Sequence, residues 1–269
     1  MIDLSINTDL ARQILTGFIQ SEITRAGFSC AVVGLSGGVD SSLSCALAAE
    51  ALGARNVLAV RMPYKTSAAD SLEHAQMLID MLGVQSVDIP ITGMADALIE
   101  QDKGMSSIRK GNIMARARMI VLYDQSAVFK GLVVGTGNKT EILLGYTTLY
   151  GDSACGFNPI GDLYKTQVRQ LARAMKIPVV IIDKAPTADL WPGQTDEGEL
   201  GFTYEEVDKL LFLLVDQRYT QQECVKAGFG EKFVHAVVGM IRRNQFKRLL
   251  PPIAKLSNRN RRVRLPLST

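Results

Sequence analysis

Histidine is nearly missing: His74 and His235 are the only two in 269 residues, and each lies inside a helical pattern. Catalysis built on imidazole is therefore disfavoured, and both are expected to be structural or surface residues. The four cysteines, at 30, 45, 155 and 224, include no C-x-x-C pair, which argues against a zinc site and a disulfide framework and for reduced, mostly buried thiols. No apolar run approaches the ~18 residues of a membrane span. The opening MIDLSINTDL shows no basic region followed by an apolar block, so a cytoplasmic protein without a secretory signal is expected. Acidic residues vanish from the end of the chain: 232–269 carries ten Lys/Arg and no Asp/Glu, leaving 20 basic against 27 acidic residues before it. The net charge of +3 thus hides an acidic body and a basic tail, about 250–269. That tail suits nucleic acid, an anionic ligand, an acidic surface of a second subunit, or plain solvent.

What is present centres on residues 30–52, CAVVGLSGGVDSSLSCALAAEAL. The pattern is a buried strand, a Gly/Ser turn and an Ala/Leu-rich helix. Adjacent Gly37 and Gly38 let successive N–H groups converge on one oxyanion at a helix N-terminus, where the macrodipole favours negative charge. Ser36, Ser41 and Ser42 offer hydroxyl donors. Asp40 in the same loop would repel a polyphosphate unless a divalent cation lay between them, so the loop implies magnesium. An ordinary strand-to-helix turn would need one polar capping residue, and here there are four. The loop is neither G-x-x-x-x-G-K-[ST] nor G-x-G-x-x-G. It resembles the S-G-G-x-D-S-S loop of the ATP pyrophosphatase superfamily, whose members cleave ATP to AMP and pyrophosphate while activating a substrate oxygen as an adenylate.

The length suits one α/β domain over 1–269. Its first element is an amphipathic helix over about 8–26, with Thr8 and Asp9 as capping candidates, Leu10, Ile14, Phe18 and Ile23 recurring, and Gly27 as stop. Strands are expected at 56–62, 85–89 and 132–136, with a helix near 71–82, which spells parallel βαβ units. A weaker fifth strand at 177–182 contends with Pro178. Within 104–128 a helix places Asn112, Arg116 and Tyr123 on one face; of Arg116 and Arg118, one can face an anion while the other faces water. Gly135 to Glu141 forms a second polar turn at a strand's carboxyl end. If that strand lies beside the first, Glu141 faces Asp40 across one metal. Lys165 falls in a helix's first turn, poorly placed for the helix dipole, as expected of a functional residue. Residues 184–203 form a long polar loop with the only tryptophan, a candidate lid. Helices at 204–214, near 221–227 and at 231–249 complete the chain.

Seven blocks in order, SGGVDSS, GNIMARARM, GTGNKTEILLGYTTLYGD, NPIGDLYKTQV, KAPTADLW, GQTDEGELG and FKRLLPP, resemble the ammonia-dependent NAD synthetase family from about residue 8 to 252. The resemblance implies a single doubly wound α/β domain of the ATP pyrophosphatase, or adenine nucleotide α-hydrolase-like, kind, with a parallel sheet of about five strands flanked by helices. It implies that deamido-NAD, ATP and ammonia give NAD, AMP and pyrophosphate through an adenylated intermediate. By resemblance, ATP is contacted by Ser36, Gly37, Gly38, Asp40, Ser41, Ser42, Thr136, Lys165 and Thr187, and magnesium by Asp40 and Glu141. Ser36, Lys165 and Asp152 take catalytic roles, Asp152 near the ammonia site as a buried carboxylate that accepts the ammonium proton. Deamido-NAD is contacted by Arg116 and Lys247, and by the positions of Leu149, Gly156 and Phe246, where many family members have Lys, Asp and His.

The resemblance also implies a homodimer. The length leaves no room for an amidase domain, so direct use of ammonia is expected, unless a separate glutaminase delivers it. Two other readings compete. A tRNA-modifying adenylase draws on the basic tail but lacks interleaved aromatics and paired cysteines, which disfavours a nucleic-acid partner. A nucleotide-binding module without turnover sits poorly with the acidic, basic and hydroxyl groups kept in every loop.

Overall fold

A computed structural model describes residues 2–187 and 195–254. The expected Trp191 and most of the basic tail lie outside the described residues. In chain order the elements are α1 (Thr8–Arg25), β1 (Cys30–Gly34), α2 (Val39–Leu52), β2 (Val57–Arg61), α3 (Ala69–Leu82), β3 (Gln85–Asp88), α4 (Thr92–Ile99), α5 (Ser107–Phe129), β4 (Gly131–Val134), α6 (Lys139–Leu144) and α7 (Lys165–Ala174). After these come α8 (Val179–Ile182), α9 (Asp196–Leu200), α10 (Tyr204–Leu211), α11 (Gln221–Lys226) and α12 (Glu231–Arg243).

The sheet is parallel, in the order β3-β2-β1-β4. Chain progress runs outward from β1 to β3 and then returns to the other side of β1. The strand order therefore reverses between β1 and β4, and the crevice outside their carboxyl ends is where ligands bind in such sheets. The β1–β4 register pairs Val33 with Val134, so the loops after both strands leave the sheet side by side. The strands β1, β2 and β4 bury both faces, as parallel strands do, while the edge strand β3 is mostly exposed. Ala31, Val33, Val57 and Ala59 pack toward α1, α2, α3 and α7, while Val32, Leu58 and Val60 pack toward Met114, Ala117 and Val121 of α5. A third cluster, away from the sheet, joins Leu144 of α6 to α10 and α12 through Val207, Leu211, Val234 and Val237.

Three expectations are corrected. Four strands form, not five: residues 179–182 are helical, with Pro178 at the N-cap, where its fixed φ and missing N–H suit a helix start better than a sheet ladder. The place beside β4 holds a single parallel bridge, Val134 to Phe157. The cap of α1 is Asn7, whose side chain accepts from the Leu10 N–H, rather than Thr8 or Asp9. On that helix Ile19 and Ile23 face the core, whereas Leu10, Ile14 and Phe18 are exposed. The last long helix stops at Arg243, and a short 3-10 turn, Gln245–Arg248, follows it. His74 is buried and His235 exposed, and all four cysteines are free.

Candidate active site

Both loops at the switch point enter one cavity of about 550 Å³. Ser36, Gly38, Asp40 and Ser41 line it from the first loop and Thr136 and Glu141 from the second, with Lys165, Thr187, Asp152 and Lys247 completing the expected residues that reach it. Gly37 does not line it but makes the turn possible: its φ is +79°, and a Cβ there would stand 2.1 Å from the Ser71 carbonyl oxygen. Ser36 and Ser41 brace the loop, their hydroxyls 3.0 Å apart and Ser41 Oγ accepting from the Ser36 N–H at 3.2 Å. Gly38 occupies the N-cap of α2 and offers no side-chain acceptor, so that helix start opens unshielded onto the cavity. Ser42 is fully buried behind the loop and its hydroxyl finds no partner. Ser44 ties α2 to the second loop by donating to the Gly135 carbonyl at 3.2 Å.

Asp40 and Glu141, expected to face each other across a metal, do converge, and the Lys165 ammonium stands between them. Nζ donates to Asp40 Oδ2 at 2.5 Å and to Glu141 Oε1 at 3.3 Å, and its stem is buried, 3% exposed. Lys165 is the first residue of α7, so its place in the first turn follows the sequence expectation. The Tyr204 ring lies 5.0 Å from Nζ. Asn138 fixes the pair from the other side. Its amide donates to Asp40 Oδ1 at 2.9 Å, its backbone N–H to Glu141 Oε2 at 3.2 Å, and its Oδ1 accepts the Glu141 N–H at 3.0 Å. This capping box was legible as N-x-x-E before the apolar run of α6 and was missed.

Burial pushes the Glu141 carboxyl up to about 8; Lys165 opposes this, while Asp40 and Asp196 add to it. Burial works against the Lys165 charge, but Asp40 and Glu141 outweigh it and hold its pKa above the usual lysine value. Asp196, another residue that sequence reasoning missed, is buried, accepts from the Tyr146 and Tyr204 hydroxyls, and is raised by burial. Two carboxyl groups, Asp40 and Glu141, thus bracket one ammonium, and Asp196 adds to the acidic field around it. Among the described residues no group of three or more His, Cys, Asp or Glu is placed to hold a metal. Two carboxylates with the remaining positions left to phosphate and water is nevertheless the usual way magnesium is held, and Asp40 with Glu141 fits it.

The other side of the cavity is built from residues 145–152 and the turn after α12. Gly145, at φ +70°, would put a Cβ 2.1 Å from Asn244 Cβ. Asn244 donates to the Leu144 carbonyl, and Lys247 Nζ donates to the carbonyls of Gly145 (2.7 Å) and Thr147 (2.8 Å). Asp152 accepts from the Thr147 hydroxyl at 2.7 Å and the Thr148 N–H at 2.8 Å. It is solvent-exposed, which corrects the expectation of a buried carboxylate: the bend of 147–152 turns it to the cavity mouth. Burial lowers the Lys247 pKa and nearby Asp152 opposes that.

Arg116, Leu149, Gly156 and Phe246 do not line this cavity. Arg116 is exposed and donates to the Leu149 carbonyl at 3.2 Å, while Arg118, two residues on and so on another face, does line the cavity with Asn112. Gly156 is exposed beside β4, its N–H donating to the Val133 carbonyl, and Phe246 projects outward at 59% exposure. Lys184, on the cavity wall, donates to the Ser71 hydroxyl and pairs with Asp70. The expected lid at 184–203 folds in part as α9, and its residues 188–194 lie outside the described ones.

Comparison with known proteins gives a consistent result. The family model described as NAD synthase matches residues 11–251. The chain is 55% identical to an NH(3)-dependent NAD(+) synthetase of Trichlorobacter lovleyi, over 96% of this chain and 95% of that one. It is 48% identical to the protein of the same name from Fusobacterium nucleatum, over 95% and 99%. Among solved structures, the NH3-dependent NAD synthetase of Campylobacter jejuni matches with a TM-score of 0.80 and 33% identity over 93% of this chain and all of that one. An NMN synthetase of Francisella tularensis matches with a TM-score of 0.82 and 30% identity over 93% and 99%. With its loop, its helix starts and its match over nearly the whole length, the chain belongs to the NAD synthase family.

Proposed function

We propose that this protein is an ammonia-dependent NAD synthetase: it joins ammonia to the nicotinate carboxylate of deamido-NAD at the expense of ATP, giving NAD, AMP and pyrophosphate. The observation that carries the reading is the convergence of an open helix N-terminus, one buried lysine and two carboxylates at the sheet's switch point. Relatives named NH(3)-dependent NAD(+) synthetase at 48–55% identity support it.

Carboxylate adenylation needs no protein nucleophile. A nicotinate oxygen attacks the α-phosphorus, the bond to the bridging oxygen breaks, and pyrophosphate leaves with that oxygen. The loop amide of Gly38, the hydroxyls of Ser36 and Ser41, and Thr136, Thr187 and Lys165 hold the phosphates and meet the charge that develops there, with Gly37 shaping the turn that presents them. Ser42, turned into the core, supports the loop from behind. A magnesium ion held by Asp40 and Glu141 would supply charge neutralisation on the phosphates. Ammonia then attacks the acyl carbon, the C–O bond to AMP breaks, and Asp152 at the cavity mouth takes the proton that ammonium must lose.

On the dinucleotide side Lys247 reaches the cavity, whereas Arg116, Leu149, Gly156 and Phe246 lie outside it within one chain. Their contact with deamido-NAD is part of the proposal together with a homodimer. The exposed apolar residues Leu10, Ile14 and Phe18 on α1, and Ile108, Ile120 and Val128 on α5, suit subunit contact. No helix of the described residues is long and apolar enough to cross a membrane, and cytoplasmic action without nucleic acid is proposed.

The test supplies ATP, magnesium, and either deamido-NAD or nicotinate mononucleotide, with ammonium or glutamine, and follows the amide product, AMP and pyrophosphate. NAD formed with ammonium and not glutamine is expected. The mononucleotide arm is included because the fold is shared with an NMN synthetase. ATP cleavage without amide formation, or preference for the mononucleotide, overturns the assignment.

A further inference from the structure

Asp208 on α10 is fully buried, and no sequence motif pointed to it. Its Oδ1 accepts from the Thr140 hydroxyl at 2.5 Å and its Oδ2 from the Thr166 N–H at 2.8 Å. Thr140 Oγ1 in turn accepts the Lys165 N–H at 3.1 Å. One carboxylate therefore ties together the first turns of α6 and α7, at the residues that adjoin Glu141 and Lys165. One turn earlier on the same face of α10, Tyr204 places its ring against the Lys165 ammonium.

Two physical points argue that this link serves the site and not the fold alone. A buried carboxylate whose direct partners are neutral donors costs several kcal/mol of desolvation, and joining two helices by an apolar contact would avoid that cost. At the N-terminus of α7 Gln167 Oε1 accepts the Tyr164 N–H at 2.9 Å and Tyr164 gives its hydroxyl to Asp216 at 2.9 Å, while the Lys165 and Thr166 N–H groups find their acceptors outside the helix, on Thr140 and Asp208. Asp208 supplies the acceptor for the Thr166 N–H from another helix and so fixes the start of α7 relative to α10.

We propose that Asp208 is a positioning residue for adenylation: through Thr140 and Thr166 it sets the starts of α6 and α7, so that Lys165 and Glu141 project onto the phosphate-binding loop. The inference rests on the reading that Lys165 acts on ATP. Asp208→Asn keeps the shape but turns an amide toward a donor, and Thr140→Val removes the bridging hydroxyl without changing the side chain's bulk.

Both variants should lower the single-turnover rate of pyrophosphate formation by roughly 10²-fold. Deamido-NAD affinity measured by calorimetry should change less than about threefold, and Thr140→Ser, which keeps the hydroxyl, should restore the rate to within about threefold of wild type. The double variant should be no slower than the slower single one, because both break one link. Loss of thermal stability with an unchanged adenylation rate would overturn the proposal, as would equal rates for Thr140→Val and Thr140→Ser. If Asp208→Asn does not fold, the two Thr140 variants decide. Lys165→Met run alongside separates the two claims: full adenylation by it overturns the reading of the site, whatever Asp208→Asn does.

Discussion

Replacing Lys165 with Met tests the charge arrangement on which the site depends. Met keeps most of the buried stem and removes the ammonium that lies 2.5 Å from Asp40 and 3.3 Å from Glu141. Removing one partner of a buried ion pair costs about 3–5 kcal/mol, because the remaining charge is left without compensation. The pH dependence has a definite sign. The Glu141 carboxyl stands at about 8 in the folded chain against 4.5 normally. Between those values the folded chain keeps a proton that the unfolded chain has released, so stability falls as pH rises through that window. In the wild type the decline ends near pH 8, where Glu141 ionises beside Lys165. Without the ammonium the carboxyl is pushed higher still, and the decline continues at up to about 1.4 kcal/mol per pH unit. Lys165 itself, raised above its normal 10.5, keeps its charge, and the stability that charge confers, throughout this range. Urea unfolding at about pH 6.5 and about pH 9 should show a deficit at both and a wider one at the higher pH. Equal deficits at the two values, or a variant as stable as the wild type, would refute the reasoning.

The other expectations are simpler. Gly37→Ala meets a left-handed φ of +79° and a carbonyl oxygen 2.1 Å from the new Cβ, so the loop or α3 must shift. The conformation alone costs about 1–2 kcal/mol, and both a higher KM for ATP and a lower Tm should result; wild-type values in both would count against the loop geometry. Gly145→Ala collides with Asn244 Cβ at 2.1 Å and should displace the turn that carries Lys247. Its steady-state kinetics should show a higher KM for deamido-NAD with that for ATP little changed, and the reverse pattern would contradict the division of the cavity. Asp152→Asn should slow amide formation by at least about 10²-fold more than adenylation in single-turnover assays, and equal loss of both steps would refute a proton-accepting role.

Local chemistry made much of this protein legible in the sequence. Three of the four strands read as short apolar runs, the edge strand β3 (QSVD) being polar, and the glycine pair and hydroxyls of residues 36–42 specified an oxyanion site before any neighbour was known. A βαβ pattern also implied β4 beside β1, and with it the meeting of Asp40 and Glu141, because strand order in such sheets obeys few rules. Local pattern failed at residues 177–182: the run of Val and Ile suits strand and buried helix alike, and Pro178 with the surrounding packing decided for a helix.

What tertiary structure alone decided are the contacts between segments distant in sequence. The Lys165 ammonium sits 125 residues from Asp40, and Asp208 reaches Thr140 across 68. No local pattern encodes such pairings, since they depend on how α2, α6, α7 and α10 pack around the end of the sheet. Arg118 rather than Arg116 lines the cavity for a similar reason, because the face of α5 turned inward is set by packing against β1 and β4. The sequence supplied the groups needed to bind and activate a phosphate, and the fold determined which of them meet and which buried carboxylate holds them there.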